Sequence, residues 1–373
     1  MLKNPLSMQP QHAGLDAEQR HLLRQVSRSF DLSIRLLPAL LQAPVAVGYL
    51  LARATDTVAD TTALPLAERQ NLLTLMSQAI DARQACTTRT AELNRLTQAF
   101  AAQQTDPHER ALMQALPQCL PLLHTLTEAD QTSVRQVLRH ITHGQQLDMT
   151  RFGPGLQALQ TEAELADYTW LVAGCVGEFW TELCGRHLPG YSHLPQAEMM
   201  RIGREYGMGL QRLNILRDAG ADLAAGRCYW PVETLAQAGL TPAMLARAAH
   251  IGPKTGDNTG DNTGHDTVHA DTLHALTPLY TQWLDHTQAQ LADGMRYALA
   301  LKPLRLRLAS ALPALIGARS LALLRQAGPA ALTQHIKMPR HEMRAMLWRI
   351  ALGWGSGAVL SQQFQKMSGV HRS

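Results

Sequence analysis

Residues 207–222 read GMGLQRLNILRDAGAD, and this stretch decides the fold. It contains a glycine, two amides and two aspartates spaced by four, three, four and four residues: Gly207, Gln211, Asn214, Asp218 and Asp222. On an α-helix this spacing places all five on one face, one above the other. The residues between them are mostly apolar. The pattern predicts a largely buried helix that carries a narrow polar stripe, with a glycine where something approaches closely.

A second helix, predicted for residues 44–61, repeats this arrangement. Tyr49, Arg53, Asp56 and Asp60 are spaced by four, three and four residues and are again surrounded by apolar residues. Pro44 suits the first turn of this helix, because its φ angle is already helical. One aspartate pair of this kind is most simply solvated surface charge, but two pairs in apolar helices are harder to explain in that way.

Carboxylates four residues apart repel one another, and the repulsion grows in a cleft where screening is weaker. Two such pairs therefore call for cations. Magnesium prefers oxygen ligands and binds through one or two carboxylates together with the phosphates of a substrate. The sequence thus predicts a diphosphate bridged by Mg²⁺ to the two aspartate pairs.

Composition predicts the fold class. Apolar residues make up 46% of the 373-residue chain and charged residues only 17%. Ala, Leu and Gln dominate, and the alternation of Val, Ile and Thr typical of strands is rare, so we expect an all-α protein. We expect a flexible tail at residues 1–14 and a single all-α domain at 15–373. Within that domain, the repeat PKTGDNTGDNTGHD at 253–266 is expected to be a flexible polar insertion, since it lacks the spacing and closing Glu of a calcium loop.

Several classes of function are disfavoured. The net charge of +4 comes without a Lys/Arg block, so nucleic acid is not an expected partner. Five scattered cysteines without C-x-x-C indicate neither a disulfide framework nor a zinc site. No signal peptide and no run of 18 apolar residues is found, which favours a cytoplasmic protein. The most apolar stretch, Met346–Leu360, is more simply interpreted as closing the core than as lying on a membrane.

Five motifs resemble those of the squalene/phytoene synthase family and occur in that family's order. They are SRSF at 27–30, YLLARATDTVAD at 49–60, YTWLVAGCVG at 168–177, QRLNILRDAGAD at 211–222 and RCYWP at 227–231. The resemblance implies the all-α isoprenoid synthase fold, with the two aspartate motifs on opposite walls of a central cavity.

The resemblance also implies roles for individual residues. Asp56 and Asp60 would bind Mg²⁺ and one diphosphate, and Asp218 and Asp222 would do the same on the other wall. Tyr168 matches a tyrosine that assists proton removal during cyclopropane formation. Six further residues match positions near the diphosphates: Arg28, Arg53, Arg217, Arg227, Gln211 and Asn214. Arginine suits this task because its planar fork of donors matches phosphate oxygens.

An apolar pocket is needed to keep a prenyl cation away from water. Candidate lining residues are Phe30, Tyr49, Val172, Cys175 and Phe179. Ala173, Gly174 and Gly177 are small enough to leave room for a prenyl chain between helices. Ordinary packed helices use the same residue types, so packing remains an alternative interpretation for each of them.

Within the family, RCYWP favours the squalene synthases. The implied reaction joins two farnesyl diphosphates head to head through presqualene diphosphate, which is then reduced to squalene. NADPH is implied by the resemblance only, because no G-x-G-x-x-G follows a strand. Presqualene diphosphate, dehydrosqualene and phytoene remain alternative products, and an oily product would favour peripheral membrane contact.

The sequence departs from the family pattern at two positions. Thr61 stands where many squalene synthases have a third acid, and Ala221 where many relatives have Glu. We expect magnesium binding to survive both changes. A non-catalytic helical scaffold is the alternative of a different class, and four intact aspartates argue against it.

Overall fold

A computed structural model describes residues 17–27, 30–61, 64–83, 87–250, 263–334, 336–352 and 356–369. These residues are helical almost throughout, which confirms the all-α class. The α-helices are α1 (Ala17–Ser27), α2 (Phe30–Leu36), α3 (Ala39–Asp60), α4 (Leu66–Asp81), α5 (Thr87–Gln103), α6 (Pro107–Thr125), α7 (Glu128–Arg151), α8 (Glu162–Thr169), α9 (Cys175–His187), α10 (Gln196–Ala224), α11 (Val232–Gln237), α12 (Pro242–His250), α13 (Thr263–Ala300), α14 (Leu304–Ala327), α15 (Arg340–Leu352) and α16 (Gly357–Ser368). The other elements are a π-helical turn (Trp170–Gly174), a 3₁₀ turn (Gly328–Thr333) and two short strands, β1 (Gln157–Ala158) and β2 (Arg227–Cys228).

Three helix predictions need correction. Helix α3 begins at Ala39, so Pro44 lies inside it and not at its start. The sequence also predicts a helix near 329–336, where the structure has a 3₁₀ turn that ends at Thr333. It further predicts one helix near 340–365, where the structure has two, and the sequence between them contains two glycines, which are unfavourable in helix interiors.

The repeat at 253–266 is described only in part. Helix α13 begins at Thr263, so residues 263–266 are helical, while the rest of the repeat lies outside the described residues. The expected tail at residues 1–14 also lies outside them.

Backbone contacts divide the chain into two compact units. The first comprises Met1–Gln146 and Glu182–Pro189, and the second comprises Leu147–Thr181 and Gly190–Ser373. The single domain predicted for residues 15–373 stays a prediction.

In the first unit, α6 packs against α3 and α5. Asp106 caps α6 by accepting a hydrogen bond from the backbone N–H of His108 at 2.7 Å, and Pro107 occupies the first helical position. Both features are typical helix-start signals. They place Glu109 in the first turn of a helix that contacts α3.

The start of α7 is fastened to the end of α9, also within the first unit. Thr127 donates its hydroxyl hydrogen to Asp130 at 2.8 Å and accepts the Asp130 backbone N–H at 3.2 Å, which forms a reciprocal cap. The same carboxylate lies 2.8 Å from Arg186 Nη1 and 2.8 Å from His187 Nε2. The Asp130 side chain is 0% exposed, so a buried charge is paired on several sides.

In the second unit, α10 packs on α13, α14 and the π-helical turn. A Cβ at Gly207 would lie 2.2 Å from the carbonyl oxygen of Ala173, and one at Gly177 would lie 1.9 Å from that of Gly203. The close approach predicted at Gly207 is therefore confirmed, and the approaching group is backbone. The expectation that Gly177 leaves room for a prenyl chain is wrong, because a neighbouring helix fills that space.

Two apolar stretches bear on membrane contact. Among the described residues, one helical stretch, Leu304–Thr333, is long and apolar enough to cross a bilayer, but 67% of its apolar window is buried inside the protein. In the stretch Met346–Leu360, Met346 and Ile350 are buried whereas Trp348 is 69% exposed. One side of this stretch therefore closes the core, as expected, and another side faces outward.

Candidate active site

The first aspartate stripe lies on α3, in the first unit, and contacts α6. Arg53 donates from Nη1 to Asp56 Oδ2 at 2.5 Å and from Nη2 to Glu109 Oε1 at 2.7 Å. Asp60 is exposed one turn further along α3. Tyr49 donates its hydroxyl hydrogen to the backbone carbonyl of Val26 at 3.4 Å. The predicted stripe is thus present, and its arginine bridges Asp56 to a carboxylate that the sequence analysis did not identify.

The second aspartate stripe lies on α10, in the second unit, and contacts β2. Arg217 binds Asp218 with two hydrogen bonds, Nε to Oδ1 at 2.9 Å and Nη2 to Oδ2 at 2.5 Å. Arg227 donates to Asp222 Oδ1 from Nε at 3.2 Å and from Nη2 at 2.7 Å. Each aspartate of this stripe therefore holds one arginine. Charge-assisted bonds of this kind are stronger than neutral ones, and guanidinium groups bind phosphates in the same geometry.

The amides of the α10 stripe lie next to each other. Asn214 Nδ2 donates to Gln211 Oε1 at 3.3 Å. Both side chains are partly exposed, whereas the neighbouring Leu213, Ile215 and Leu216 are buried. The predicted distribution of polar and apolar residues on this helix is therefore observed.

Residues 227–228 form the extended strand β2, and Arg227 reaches Asp222 from it. Neighbouring side chains of a strand point to opposite faces: Cys228 is buried in the core, while Arg227 contacts Asp222. The Trp230 ring stacks on Trp283 with centroids 4.3 Å apart and an interplanar angle of 3°. This stack anchors the segment.

The turn before β2 is equally constrained. Gly226 has φ +80°, and a Cβ at this position would lie 2.6 Å from the carbonyl oxygen of Gly155. A residue with a side chain would be strained there and would also collide with backbone. The parallel pairing of Gln157 with Arg227 continues from this turn.

Three hydroxyl and carboxyl groups form a chain beside the second aspartate stripe. Tyr168 donates to the hydroxyl of Tyr229 at 3.4 Å, and Tyr229 donates to Asp148 Oδ2 at 2.5 Å. The two tyrosine rings stack with centroids 5.1 Å apart, and Phe152 meets the Tyr229 ring edge-on at 4.9 Å. Both tyrosines are buried.

Two carboxylates near β2, Asp148 and Asp222, have raised pKa values. Burial raises the pKa of Asp148 to about 6, against the opposing effects of Tyr229 and Arg227. Its Oδ1 atom is buried and accepts no hydrogen bond from the described residues. Burial likewise raises the pKa of Asp222, although its bonds with Arg227 oppose this. Desolvated carboxylates of this kind favour a nearby cation.

Three of the predicted pocket residues lie on neighbouring elements of the second unit. Cys175 and Phe179 are buried on α9, and Val172 is partly buried in the π-helical turn. The Cys175 thiol donates to the carbonyl of Leu171 at 3.0 Å. A small cleft is lined by eight other residues: Ile215, Ala219, Asp222, Leu223, Arg227, Cys228, Tyr229 and Trp230. The role of the predicted residues as pocket lining stays a prediction.

Two predicted residues cannot be placed. Arg28 lies outside the described residues, and so does the side chain of Phe30, although its backbone begins α2. Their roles stay predictions.

The donor set fits magnesium. Across the described part of the chain, no group of three or more His, Cys, Asp or Glu side chains comes together as a metal cluster. Each stripe supplies two carboxylates, which is the number that Mg²⁺ uses when substrate phosphates complete its coordination. The arginines on Asp56, Asp218 and Asp222 show that these carboxylates attract positive charge where they stand.

Sequence reasoning missed three polar residues at the site: Glu109, Asp148 and Tyr229. Tyr229 stands inside the RCYWP motif, so its position was available as a signal. Glu109 follows a helix-start signal, which predicts a helix but not a contact with Arg53. Asp148 is a lone acid at the end of a helix and gave no pattern to read.

Comparison with known proteins identifies a family. A family model described as squalene/phytoene synthase matches residues 23–342. A bifunctional lycopene cyclase/phytoene synthase of Phaeosphaeria nodorum is 29% identical over 233 residues, which cover 61% of this chain and 36% of that protein. A squalene synthase of Saccharomyces cerevisiae is 27% identical over 216 residues, which cover 58% of this chain and 45% of that protein. The aligned part of the chain thus spans less than half the length of either relative.

The fold has a match among solved structures. The structure of TcSQS with a bound ligand superposes with a TM-score of 0.68 at 19% identity, covering 94% of this chain and 89% of that chain. At this identity the likeness shows the fold, while the family model covers most of the chain and includes both aspartate stripes. The chain belongs to the squalene/phytoene synthase family.

Proposed function

We propose that this protein catalyses the head-to-head condensation of two prenyl diphosphates, with Mg²⁺ held by Asp56 and Asp60 and by Asp218 and Asp222. The observation that carries the proposal is the pair of carboxylate stripes on α3 and α10, both with arginine attached, in a family that ionises diphosphates with magnesium. A bound magnesium ion would neutralise the charge that develops on the leaving diphosphate.

The arginines have a specific part in this proposal. Arg53 holds Asp56 through one N–H, and Arg217 and Arg227 each hold a stripe carboxylate through two. A diphosphate offers the same acceptor geometry with more negative charge. Transfer of these guanidinium groups to the substrate would leave the carboxylates free for a cation. Binding of the substrate and of the cation would therefore favour each other.

Tyr168 serves as the proton acceptor of the condensation. As a carbon–hydrogen bond of the prenyl chain breaks, its electron pair forms the last bond of a cyclopropane ring, and its proton passes by way of the Tyr168 oxygen to the diphosphate that the same reaction releases. Burial supports this role, because a hydroxyl shielded from water lies where the carbocation must also be shielded.

We infer that the substrate is farnesyl diphosphate and that the product is squalene, formed through presqualene diphosphate with NADPH as reductant. The support is the motif at 227–231. Presqualene diphosphate, dehydrosqualene and phytoene remain alternative products, since the similar proteins include both squalene and phytoene synthases.

The test is a product analysis. Purified protein receives farnesyl diphosphate and Mg²⁺, with and without NADPH, and the extracts are analysed by gas chromatography–mass spectrometry. Squalene formed only with NADPH would support the full proposal. Presqualene alcohol (after phosphatase treatment) or dehydrosqualene in both samples would support the condensation step and contradict the reduction by NADPH. Phytoene formed from geranylgeranyl diphosphate would show that the substrate is geranylgeranyl diphosphate and not farnesyl diphosphate.

A non-catalytic scaffold predicts a different outcome. If the stripes bind Mg²⁺ and a non-hydrolysable diphosphate analogue, these ligands together stabilise the native state by about 2.7 kcal/mol at a concentration of one hundred times the Kd. The rise in melting temperature should disappear when EDTA is added. No shift and no product would favour the scaffold.

We also propose a cytoplasmic location with peripheral contact to anionic membranes through the outward side of α15. Trp348 is 69% exposed and Leu352 75% exposed, and Arg344 and Arg349 are exposed on the same helix. Exposed aromatic, aliphatic and cationic side chains together are typical of interfacial helices. The acid of this helix, Glu342, is engaged by Arg319 at 2.6 Å.

Vesicle sedimentation tests this contact. Replacing both Trp348 and Leu352 by alanine should weaken binding to vesicles with anionic lipid by at least about tenfold, because two apolar side chains are lost from the interface. Leu66→Ala, which changes an exposed leucine on α4, is the matched control. Equal binding by both variants would disprove this surface.

A further inference from the structure

The hydrogen bonds from Tyr168 to Asp148 run in one direction. An ionised carboxylate accepts hydrogen bonds and donates none, so Asp148 accepts a hydrogen bond from the Tyr229 hydroxyl at 2.5 Å. A hydroxyl has one hydrogen, and that of Tyr229 is already used in the hydrogen bond to Asp148. Its oxygen acts towards Tyr168 only as an acceptor, at 3.4 Å. The hydroxyl hydrogen of Tyr168 therefore points at the Tyr229 oxygen. Towards a ligand, the Tyr168 oxygen can then act only as a hydrogen-bond acceptor.

Packing fixes the middle of this chain. The Tyr229 ring is stacked on Tyr168 and met edge-on by Phe152. Its backbone continues from β2, which pairs with β1, and the next residue, Trp230, is stacked on Trp283. The Tyr229 hydroxyl is therefore held by the surrounding structure, and substrate does not have to arrange it.

Asp148 completes the chain. Its Oδ2 accepts from Tyr229, while its buried Oδ1 has no hydrogen-bond donor within the described residues. Leaving a buried carboxylate oxygen without a partner costs free energy. Such a group is common at functional sites and hard to explain by packing alone.

We propose that Tyr229 and Asp148 are positioning residues for Tyr168, because they fix the hydrogen of its hydroxyl group and so aim its oxygen lone pairs at the substrate. The inference rests on the proposed function, in which Tyr168 accepts the proton released during cyclopropane formation. Tyr229, in the RCYWP motif, and Asp148, near the end of α7, thus orient the proton acceptor.

Tyr229→Phe is the direct test, because it removes one oxygen atom and leaves the ring stack in place. With the condensation assayed on farnesyl diphosphate and Mg²⁺, we expect kcat to fall at least about tenfold, within the range of general-base effects, while KM stays the same. The isotope effect from deuterium at C1 of the substrate should increase, because proton removal becomes slower. A purely structural role would change neither the isotope effect nor the ratio of kcat to KM in this way.

Two changes at Asp148 separate positioning from folding. Asp148→Leu removes the acceptor and should reproduce the loss in kcat, whereas Asp148→Asn retains an acceptor oxygen and should recover most of it. Tyr280→Phe is the matched control, since it removes another buried hydroxyl from the same unit. It should keep the wild-type kcat. Thermal melts by circular dichroism show whether each variant is folded.

The outcomes separate this inference from the proposed function. If the wild-type protein forms no condensation product, the proposed function fails, and this inference fails with it. If the wild-type protein is active and Tyr229→Phe keeps both its kcat and its isotope effect, only the inference is overturned.

Discussion

Helix α7 carries a carboxylate near each end, and the two differ in their partners. Asp130, near the start, interacts with Arg186, His187 and Thr127. Asp148, near the end, accepts one hydrogen bond from Tyr229, and its Oδ1 accepts none from the described residues. The first is a fully paired group that fastens two helices. The second has one carboxylate oxygen that accepts no hydrogen bond from the described residues.

The pKa values of Asp130 and Asp148 follow this difference in pairing. Burial alone would raise the pKa of Asp130, but the hydrogen bonds from His187, Arg186 and Thr127 hold it below its usual value. Burial raises the pKa of Asp148 to about 6, because one tyrosine and a nearby arginine compensate only in part. Complete pairing thus marks a carboxylate that stabilises the fold, whereas incomplete pairing marks one available to function.

The largest expected effect lies on the functional side of this comparison. Asp56→Asn and Asp218→Asn should each lower turnover by at least about a thousandfold, or about 4 kcal/mol, because each removes the negative charge that would hold magnesium. Steady-state assays measure the loss, and the helical circular dichroism should stay nearly unchanged. Full activity in either variant would contradict the assigned roles.

The fully paired carboxylate should show the opposite behaviour. Asp130→Ala leaves Arg186 and His187 without their buried counter-charge and should lower the free energy of unfolding by about 3 kcal/mol. Urea unfolding measures this change. The turnover of the folded fraction should match wild type, and a selective loss of kcat would mean that this end of α7 also serves the reaction.

The pH dependence of stability should sharpen the comparison. The folded-state pKa of Asp148 lies above the unfolded value of about 3.9, so its contribution to stability is full below pH ~4 and is lost as pH rises through about 6. Asp148→Asn should therefore become more stable relative to wild type between pH 5 and pH 7.5, by about 1–2 kcal/mol after allowing for solvent screening.

Asp130 should behave in the opposite way. Its folded-state pKa is lowered, so its contribution is present above pH ~4 and is lost as pH falls through that lower value. Urea unfolding of wild type and of each variant at several pH values measures both effects. A difference between Asp148→Asn and wild type that stays constant with pH would contradict the raised pKa.

The smallest effect is expected at an exposed ion pair. Asp81 and Arg139 form a bond of 2.7 Å, but both side chains are more than a third exposed. Asp81→Ala should therefore change the free energy of unfolding by less than about 1 kcal/mol, since water and salt screen such pairs. A loss as large as that of Asp130→Ala would show that pairing, and not burial, determines the contribution.

Most of the fold could be predicted from local sequence. The spacing of polar and apolar residues in 207–222 and 49–60 placed both stripes on helices, and the structure has them on α10 and α3. Predictions failed where packing overrides local preference. Pro44 lies inside α3, and Gly177 contacts the backbone of α10 where an open space was expected. Neither outcome follows from helical periodicity.

The sequence by itself determined the helices, the two aspartate stripes and the family, because these depend on residues close together in the chain or on motifs in a fixed order. Only the tertiary structure decided which distant groups meet. Glu109 joins Arg53 across 56 residues, and Tyr229 joins Asp148 across 81. The physical reason is that periodicity specifies the face of one helix, whereas the contact between two elements depends on how their side chains pack together.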